Sequence, residues 1–305
     1  MVTINENHEF HTIDGKSLAE KILFDLRKKI IKENLHPGLA VILVGNDPSS
    51  RLYVKNKENA SKKVGIDFHK YLCGNEFFPN ISENEIITMV EFLNNDPTIS
   101  SIIIQLPLPK QFNTQKIIEA IDPRKDVDGF HPHNIKKILS QRTENLPPLI
   151  KTIFYILKSI AMNVEGKRVC VLSRSDIFRQ VIVKALEDRG ANVNATTLEG
   201  TDAKEILKKA DIVISILGKP KIITGEMIKK DATIIDIGIT KTENGFFGDA
   251  DFESIKKVAK FATPTPGGVG PVTVAMLLDS VFELSKNKRE KPAQGWSALG
   301  RNVKP

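Results

Sequence analysis

Residues 39 to 65 read LAVILVGNDPSSRLYVKNKENASKKVG, a strand, turn and helix in succession. Leu39 to Val44 is an apolar, largely β-branched run closed by Gly45-Asn46-Asp47-Pro48, the pattern of a buried strand that ends in a turn. Ser49 or Ser50 is placed to cap the helix that follows. On that helix Tyr53 and Lys57 stand four residues apart, so their side chains share one face at the mouth where strand gives way to helix. Open α/β sheets place ligands at that mouth. A desolvated lysine beside a tyrosine is a candidate acid/base pair, because burial lowers an ammonium pKa toward neutrality. The helix also carries Lys55, Lys62 and Lys63, so a plain solvated face is the competing reading.

The same alternation continues on either side. Leu18, Ile22, Leu26 and Ile30 recur at helical spacing and predict an amphipathic helix over 16 to 34. A strand is expected at 67 to 73, then a helix begun by Ser82 with Glu85 at capping-box spacing. The apolar run at 99 to 106 predicts a buried strand that ends on Gln105, an amide that must find partners or cost stability. After a helix at 113 to 121, Asp126, Asp128 and Gly129 form a tight polar turn. The remaining oxygen ligands of a calcium loop are missing, and His131 and His133 read as loop surface. The prolines of NLPPLI at 145 to 150 mark a linker. Beyond it a helix at 151 to 162 precedes strands at 167 to 173, 192 to 198, 211 to 218 and 232 to 239, with helices at 177 to 189 and 202 to 209.

This pattern predicts an α/β protein of two domains. A three-layer α/β domain over 1 to 147, joined by a C-terminal helix at 271 to 285, is followed by a Rossmann-like parallel-sheet domain over 148 to 270. The tail from 286 to 305 is basic and poor in aliphatics, with Trp296 its one large apolar residue, and is expected to lack order.

Bulk properties bound the function. The chain has 305 residues, enough for about two domains, with 41% hydrophobic and 27% charged residues. No apolar run is long enough to span a bilayer and the N-terminus lacks a basic flank before an apolar core, so a cytoplasmic protein without a membrane partner is expected. Cys73 and Cys170 have no metal-ligand spacing and read as small buried hydrophobes. The net charge of +7 favours anionic partners, but the aromatic content of 6% and the lack of basic-aromatic interleaving speak against nucleic acid.

In the second half, the first strand-to-helix turn is where a dinucleotide pyrophosphate would sit. It reads SRSDIFRQ at 173 to 180, without a glycine. Arg174 and Ser175 could hold a phosphate through charge and a hydroxyl. Glu199 stands where an acidic residue would bond a ribose hydroxyl, or else is an exposed loop residue. Near the end, TPTPGGVGPVTVAM at 263 to 276 is a rigid loop whose bare amides can face a flat ligand.

Four segments, YVKNKENASKKVGI (53 to 66), IIIQLPLP (102 to 109), KDVDGFHP (125 to 132) and PTPGGVGPVTVAML (264 to 277), together resemble the bifunctional methylenetetrahydrofolate dehydrogenase/methenyltetrahydrofolate cyclohydrolase family. They stand in that family's order and at its spacing. The resemblance implies that Lys57 is catalytic, that Gln105 sets its protonation, that Tyr53 packs on the folate ring system and that Asp128 anchors the pterin. Pro266, Gly267, Gly268 and Pro271 would wall the folate pocket. Ser173, Arg174, Ser175, Glu199, Gly218 and Ile239 would line the cofactor site, with NADP the cofactor and NAD or no nucleotide the alternatives. The implied activity oxidises methylenetetrahydrofolate to the methenyl form and hydrolyses that to 10-formyltetrahydrofolate, in a homodimer. The chain departs from the family at PPLIKT (147 to 152), at SRSDIFRQ and at Leu198-Glu199, all on the cofactor side. The competing readings are therefore a cyclohydrolase without hydride transfer and a folate-binding pseudoenzyme.

Overall fold

The computed structural model describes residues 9 to 74, 80 to 141, 146 to 198 and 203 to 290. Glu199, Trp296 and the chain beyond 290 lie outside the described residues.

The chain opens with a short strand, β1 (His11–Thr12), and helix α1 (Gly15–Glu33). Asp14 caps α1 by accepting the amides of Lys16 and Ser17, and Asn34 closes it in the left-handed region at φ 47°. Strand β2 (Gly38–Val44) is buried along its whole length, as the apolar run requires. Helix α2 (Pro48–Val64) follows, and its cap is Asp47, not Ser49 or Ser50. Pro48 takes the first helical position, where its missing N–H costs nothing, and this moves the helix start upstream of both serines. Strand β3 (Asp67–Cys73), helix α3 (Glu83–Asn95) with its Ser82/Glu85 capping box, and strand β4 (Ser101–Ile104) complete the unit. Strands β3, β2 and β4 form a parallel sheet with β2 in the centre.

Helix α4 (Thr114–Glu119) and helix α5 (Pro132–Ser140) lead to helix α6 (Pro148–Ser159). His133 stands exposed on the first turn of α5 and not in a loop, and His131 caps that helix, its Nδ1 accepting the His133 amide at 3.0 Å. Next come β5 (Arg168–Ser173), α7 (Asp176–Glu187), β6 (Asn192–Thr196), α8 (Ala203–Lys209), β7 (Ile212–Ile216) and β8 (Thr233–Asp236). A small hairpin, β9 (Thr240–Thr242) with β10 (Gly245–Phe247), precedes α9 (Phe252–Ile255) and β11 (Phe261–Ala262). The last element is α10 (Val269–Glu290).

The second sheet has six strands in the order β1-β11-β8-β7-β5-β6, all parallel. Strand β1 at its edge comes from the N-terminus, so residues 11 and 12 belong to this sheet and not to the N-terminal unit in which they were expected. Helix α10 is longer at both ends than the expected 271 to 285, and residues 286 to 290 of the tail are helical. Its first turns pack with Ile153 and Ile156 of α6, while Leu277, Leu278, Val281 and Phe282 enter the core of Leu26, Leu39 and Val41. One helix therefore contributes to the cores on both sides of the cleft. Among the described residues no helix is long and apolar enough to cross a membrane.

Candidate functional site

Lys57 lies on the third turn of α2 and is 9% exposed. Its Nζ donates to Gln105 Oε1 at 3.0 Å. Gln105 follows the end of β4, and its Nε2 donates to the Leu106 carbonyl at 2.9 Å, so the amide is held from both ends with its oxygen turned to the lysine. Burial pushes the Lys57 ammonium below its usual range, and the carboxylate of Asp128 pulls it partway back. Burial raises Asp128 above the usual carboxylate range, opposed by the charge of Lys57 and assisted by that of Asp126. Lys57, Gln105 and Asp128 therefore form one electrostatic unit.

Asp126 has a different task. Its Oδ1 accepts the Gly129 amide at 3.1 Å, and its Oδ2 accepts from the His131 amide and Asn134 Nδ2 at 2.8 and 2.9 Å. These bonds fix the turn, in which Gly129 sits at φ +77°, and leave Asp128 next to the lysine. Among the described residues no group of three or more His, Cys, Asp or Glu converges as a metal site.

Tyr53, one turn before Lys57, is half-buried, and burial lifts its hydroxyl above the ordinary phenol value. It lines a cleft of about 550 Å³ between α1 and α2 on one side and the loop from Pro264 to Pro271 on the other. Pro266, Gly267, Gly268, Pro271 and Ile239 line the same cleft. Gly267 sits at φ +105°, where side chains are strained. The loop also seats directly on the start of α1, since a Cβ at Gly15 would lie 1.7 Å from the Gly268 carbonyl oxygen.

Sequence reasoning missed Asp236, at the end of β8, which also lines the cleft. Its Oδ1 accepts the Asp249 amide at 3.0 Å and its Oδ2 the Ala250 amide at 2.9 Å. Asp249 in turn accepts from Ser215 Oγ and the amides of Leu217 and Lys219. Burial pushes Asp236 up to about 7 against the amides that favour its charged form. The signal was present, because a carboxylate closing the apolar run TIID is as conspicuous as Gln105 closing SIII.

The remaining candidates gather at the carboxyl ends of β5, β7 and β8. Ser173 is buried, and its Oγ donates to the Ser175 carbonyl at 3.1 Å and accepts the Ser175 amide at 3.2 Å. Ser175 caps α7 through the Phe178 amide. Arg174 Nη1 donates to the Leu217 carbonyl at 3.2 Å, beside Gly218, where an added Cβ would meet nothing within 4 Å. A nucleotide thus finds open backbone at Gly218, the amino end of α7 and the cation of Arg174, an arrangement that fits anionic phosphates. The glycine turn is absent, and the guanidinium of Arg179 lies over the end of β5 instead, donating to the Ser173 carbonyl at 3.1 Å. A second cleft, of about 780 Å³, runs from α4 and α5 to Ser175, Ile177 and Phe178. There Phe130 meets Phe178 edge to face, with ring centroids 5.1 Å apart.

Residues 13–128 match the family described as tetrahydrofolate dehydrogenase/cyclohydrolase, catalytic domain, and residues 147–289 match its NAD(P)-binding domain. The Bifunctional protein FolD of Nautilia profundicola is 43% identical over 90% of this chain and 97% of its own length. That of Helicobacter hepaticus is 39% identical over 92% of this chain and 98% of its own. The crystal structure of the bifunctional FolD from Campylobacter jejuni superposes with a TM-score of 0.85 at 34% identity, covering 92% of this chain and 99% of that one. The Trypanosoma brucei FolD, solved with NADP and an inhibitor, gives a TM-score of 0.86 at 29% identity, covering 93% and 99%.

Proposed function

Because this chain belongs to the tetrahydrofolate dehydrogenase/cyclohydrolase family, we propose that its two activities are carried out at the cleft walled by Tyr53 and the Pro266 to Pro271 loop, with Lys57 as the proton acceptor. The protein is a methylenetetrahydrofolate dehydrogenase and methenyltetrahydrofolate cyclohydrolase. The reading of the site rests on one observation, the 3.0 Å bond from the buried Lys57 to Gln105, one helical turn from Tyr53.

Burial lowers the Lys57 ammonium from its ordinary range, which favours the neutral amine, and a neutral amine can take a proton that an ammonium cannot. In hydrolysis, water attacks the cationic methenyl carbon as Lys57 Nζ accepts its proton, and ring opening then yields the 10-formyl product. In the oxidation, the methylene carbon loses hydride and the folate becomes cationic. A neutral lysine does not oppose that charge, whereas an ammonium would. Gln105 orients the amine. Asp128 accepts hydrogen bonds from the pterin and stays close enough to tune Lys57, and Tyr53 stacks on the ring system. Gly267 and Gly268 let the loop backbone approach the folate face.

Bound NADP supplies the hydride acceptor. Arg174 would meet its 2′-phosphate, Ser175 and the open backbone at Gly218 would hold its phosphates, the buried Ser173 would keep that turn in place through its bonds to Ser175, and Ile239 would stand on the nicotinamide side. We assign NADP over NAD because Arg174, which directly follows β5, reaches toward the end of β7 as a cation; Glu199 would act in the opposite sense. The protein works as a homodimer, for which the outer edge of β6 supplies an unpaired ladder among the described residues. A cytoplasmic setting agrees with the free, buried thiols of Cys73 and Cys170.

The test is spectroscopic: formation of methenyltetrahydrofolate from methylenetetrahydrofolate with NADP, then with NAD, beside hydrolysis of added methenyltetrahydrofolate. Turnover in both assays, faster with NADP, is expected. Hydrolysis without oxidation by either nucleotide would refute the cofactor half of this reading.

A further inference from the structure

The turn after β5 lacks the glycines that let bare amides meet a pyrophosphate, and the position that closes it is filled by Arg179. The side chain of Arg179 folds back toward the strand. Its Nη1 donates to the Ser173 carbonyl at 3.1 Å, and its Nη2 donates to Asp176 Oδ1. These are its partners among the described residues. The two halves of the ion pair are unequally held, the Arg179 side chain being 27% exposed and that of Asp176 72% exposed. The cation is anchored on the protein, while its counter-ion stands in solvent on the first turn of α7.

We propose that Arg179 is a phosphate-binding residue of the dinucleotide site, substituting a guanidinium for glycine amides, and that Asp176 occupies it until the nucleotide arrives. The inference rests on the reading that the β5 to α7 turn holds the dinucleotide. Three features support it. A guanidinium binds phosphate through a planar fork of parallel N–H bonds, and anchoring to Ser173 presets its orientation. An exposed carboxylate three residues away on the same helix is a weak partner, easily displaced by a more highly charged phosphate. Arg174 and the open space at Gly218 lie at the same strand ends, so the displaced position faces the expected path of the ligand. The phosphates involved are those common to NAD and NADP, so Arg179 should raise affinity for both and leave their ratio to Arg174.

Isothermal titration calorimetry of the full-length protein with NADP and with NAD tests this. Arg179→Ala should bind both nucleotides about tenfold more weakly, as expected for loss of a charge-assisted contact. Asp176→Asn, which removes the competitor and keeps the helix start polar, should bind both several-fold more tightly, and that gain should vanish in the Arg179→Ala background. Equal or tighter binding by Arg179→Ala, or by Arg179→Gly, would overturn the proposal, because the side chain would then be neutral or an obstruction. If Arg179→Ala fails to fold by circular dichroism, unchanged or weaker binding by Asp176→Asn overturns it just as well. Wild-type protein that binds neither nucleotide would sink the underlying reading of the turn. Wild-type binding matched by Arg179→Ala would sink this inference alone.

Discussion

Lys57 Nζ and the side-chain oxygen of Gln105 meet at 3.0 Å and join α2 to the residue just past β4. The contact couples the protonation of the lysine to a group that can be altered without touching α2. Replacing Gln105 by glutamate places a negative charge beside Nζ, which favours the ammonium. In Gln105→Glu the acid limb of the hydrolysis profile, which reports conversion to neutral lysine, should move to higher pH. A limb that stays in place, measured by kcat/KM against pH, would show that Gln105 does not set the state of Lys57.

Asp128 pulls in the same direction in the native protein, since its charge opposes the burial that depresses Lys57. Asp128→Asn removes that support, so the acid limb should move to lower pH, opposite to Gln105→Glu. Because Asp128 is also assigned to the pterin, KM for the folate should rise by roughly tenfold, the worth of a hydrogen bond to a charged group. Steady-state kinetics across pH separate the two effects.

Asp236 should leave a signature in stability. Its carboxyl, pushed up to about 7 by burial, titrates near 4 in the unfolded chain. The folded state therefore binds that proton more tightly. The group's stabilising contribution is full below about pH 4, declines as pH rises toward about 7, and amounts to on the order of 4 kcal/mol. Urea melts of wild type and Asp236→Asn at a series of pH values should show this slope in the wild type and its loss in the variant. Parallel curves would mean that the amides of Asp249 and Ala250 keep the carboxylate ionised throughout.

The seating of the Pro264 to Pro271 loop on α1 is also testable. A Cβ at Gly15 would lie 1.7 Å from the Gly268 carbonyl oxygen, so Gly15→Ala must displace either the helix or the loop. We expect a loss of about 1 to 3 kcal/mol in stability, typical of overpacking, together with a higher KM for the folate. A variant as stable as wild type by thermal melting would show that the loop moves freely there.

Arg174 is assigned the 2′-phosphate that distinguishes NADP from NAD. Arg174→Ala should lower the ratio of kcat/KM for NADP to that for NAD by about tenfold, in line with one charge-assisted contact. An unchanged ratio would place the discrimination elsewhere.

The Lys57–Gln105 contact was legible in the sequence because its logic is local. Helix spacing alone puts Tyr53 and Lys57 on one face, and an amide that closes an apolar strand has to find a partner, which proved to be Lys57. The alternation of strands and helices likewise gave both parallel sheets. What escaped depends on contacts distant in sequence or on single backbone positions. Strand β1 is two residues long, too short for any periodicity, and exists because β11 offers it an edge. Asp47 outcompetes the serines as a cap because Pro48 fixes where α2 begins. The Asp236 network is joined across Gly238 and Gly248, whose added Cβ atoms would lie about 2 Å from the carboxyl oxygens of Asp249 and Asp236, at 2.2 and 2.0 Å respectively. Nothing in a linear pattern announces that approach.

Proton transfer to Lys57 in methenyl hydrolysis is probed by Lys57→Met, which keeps most of the side chain's length and removes the amine. The measurement is the hydrolysis rate of methenyltetrahydrofolate, read beside the melting temperature. A fall of about 10²- to 10⁴-fold, the range for loss of a positioned acid/base group, is expected, with the melting temperature at or above that of wild type. Wild-type hydrolysis by the folded variant would contradict it.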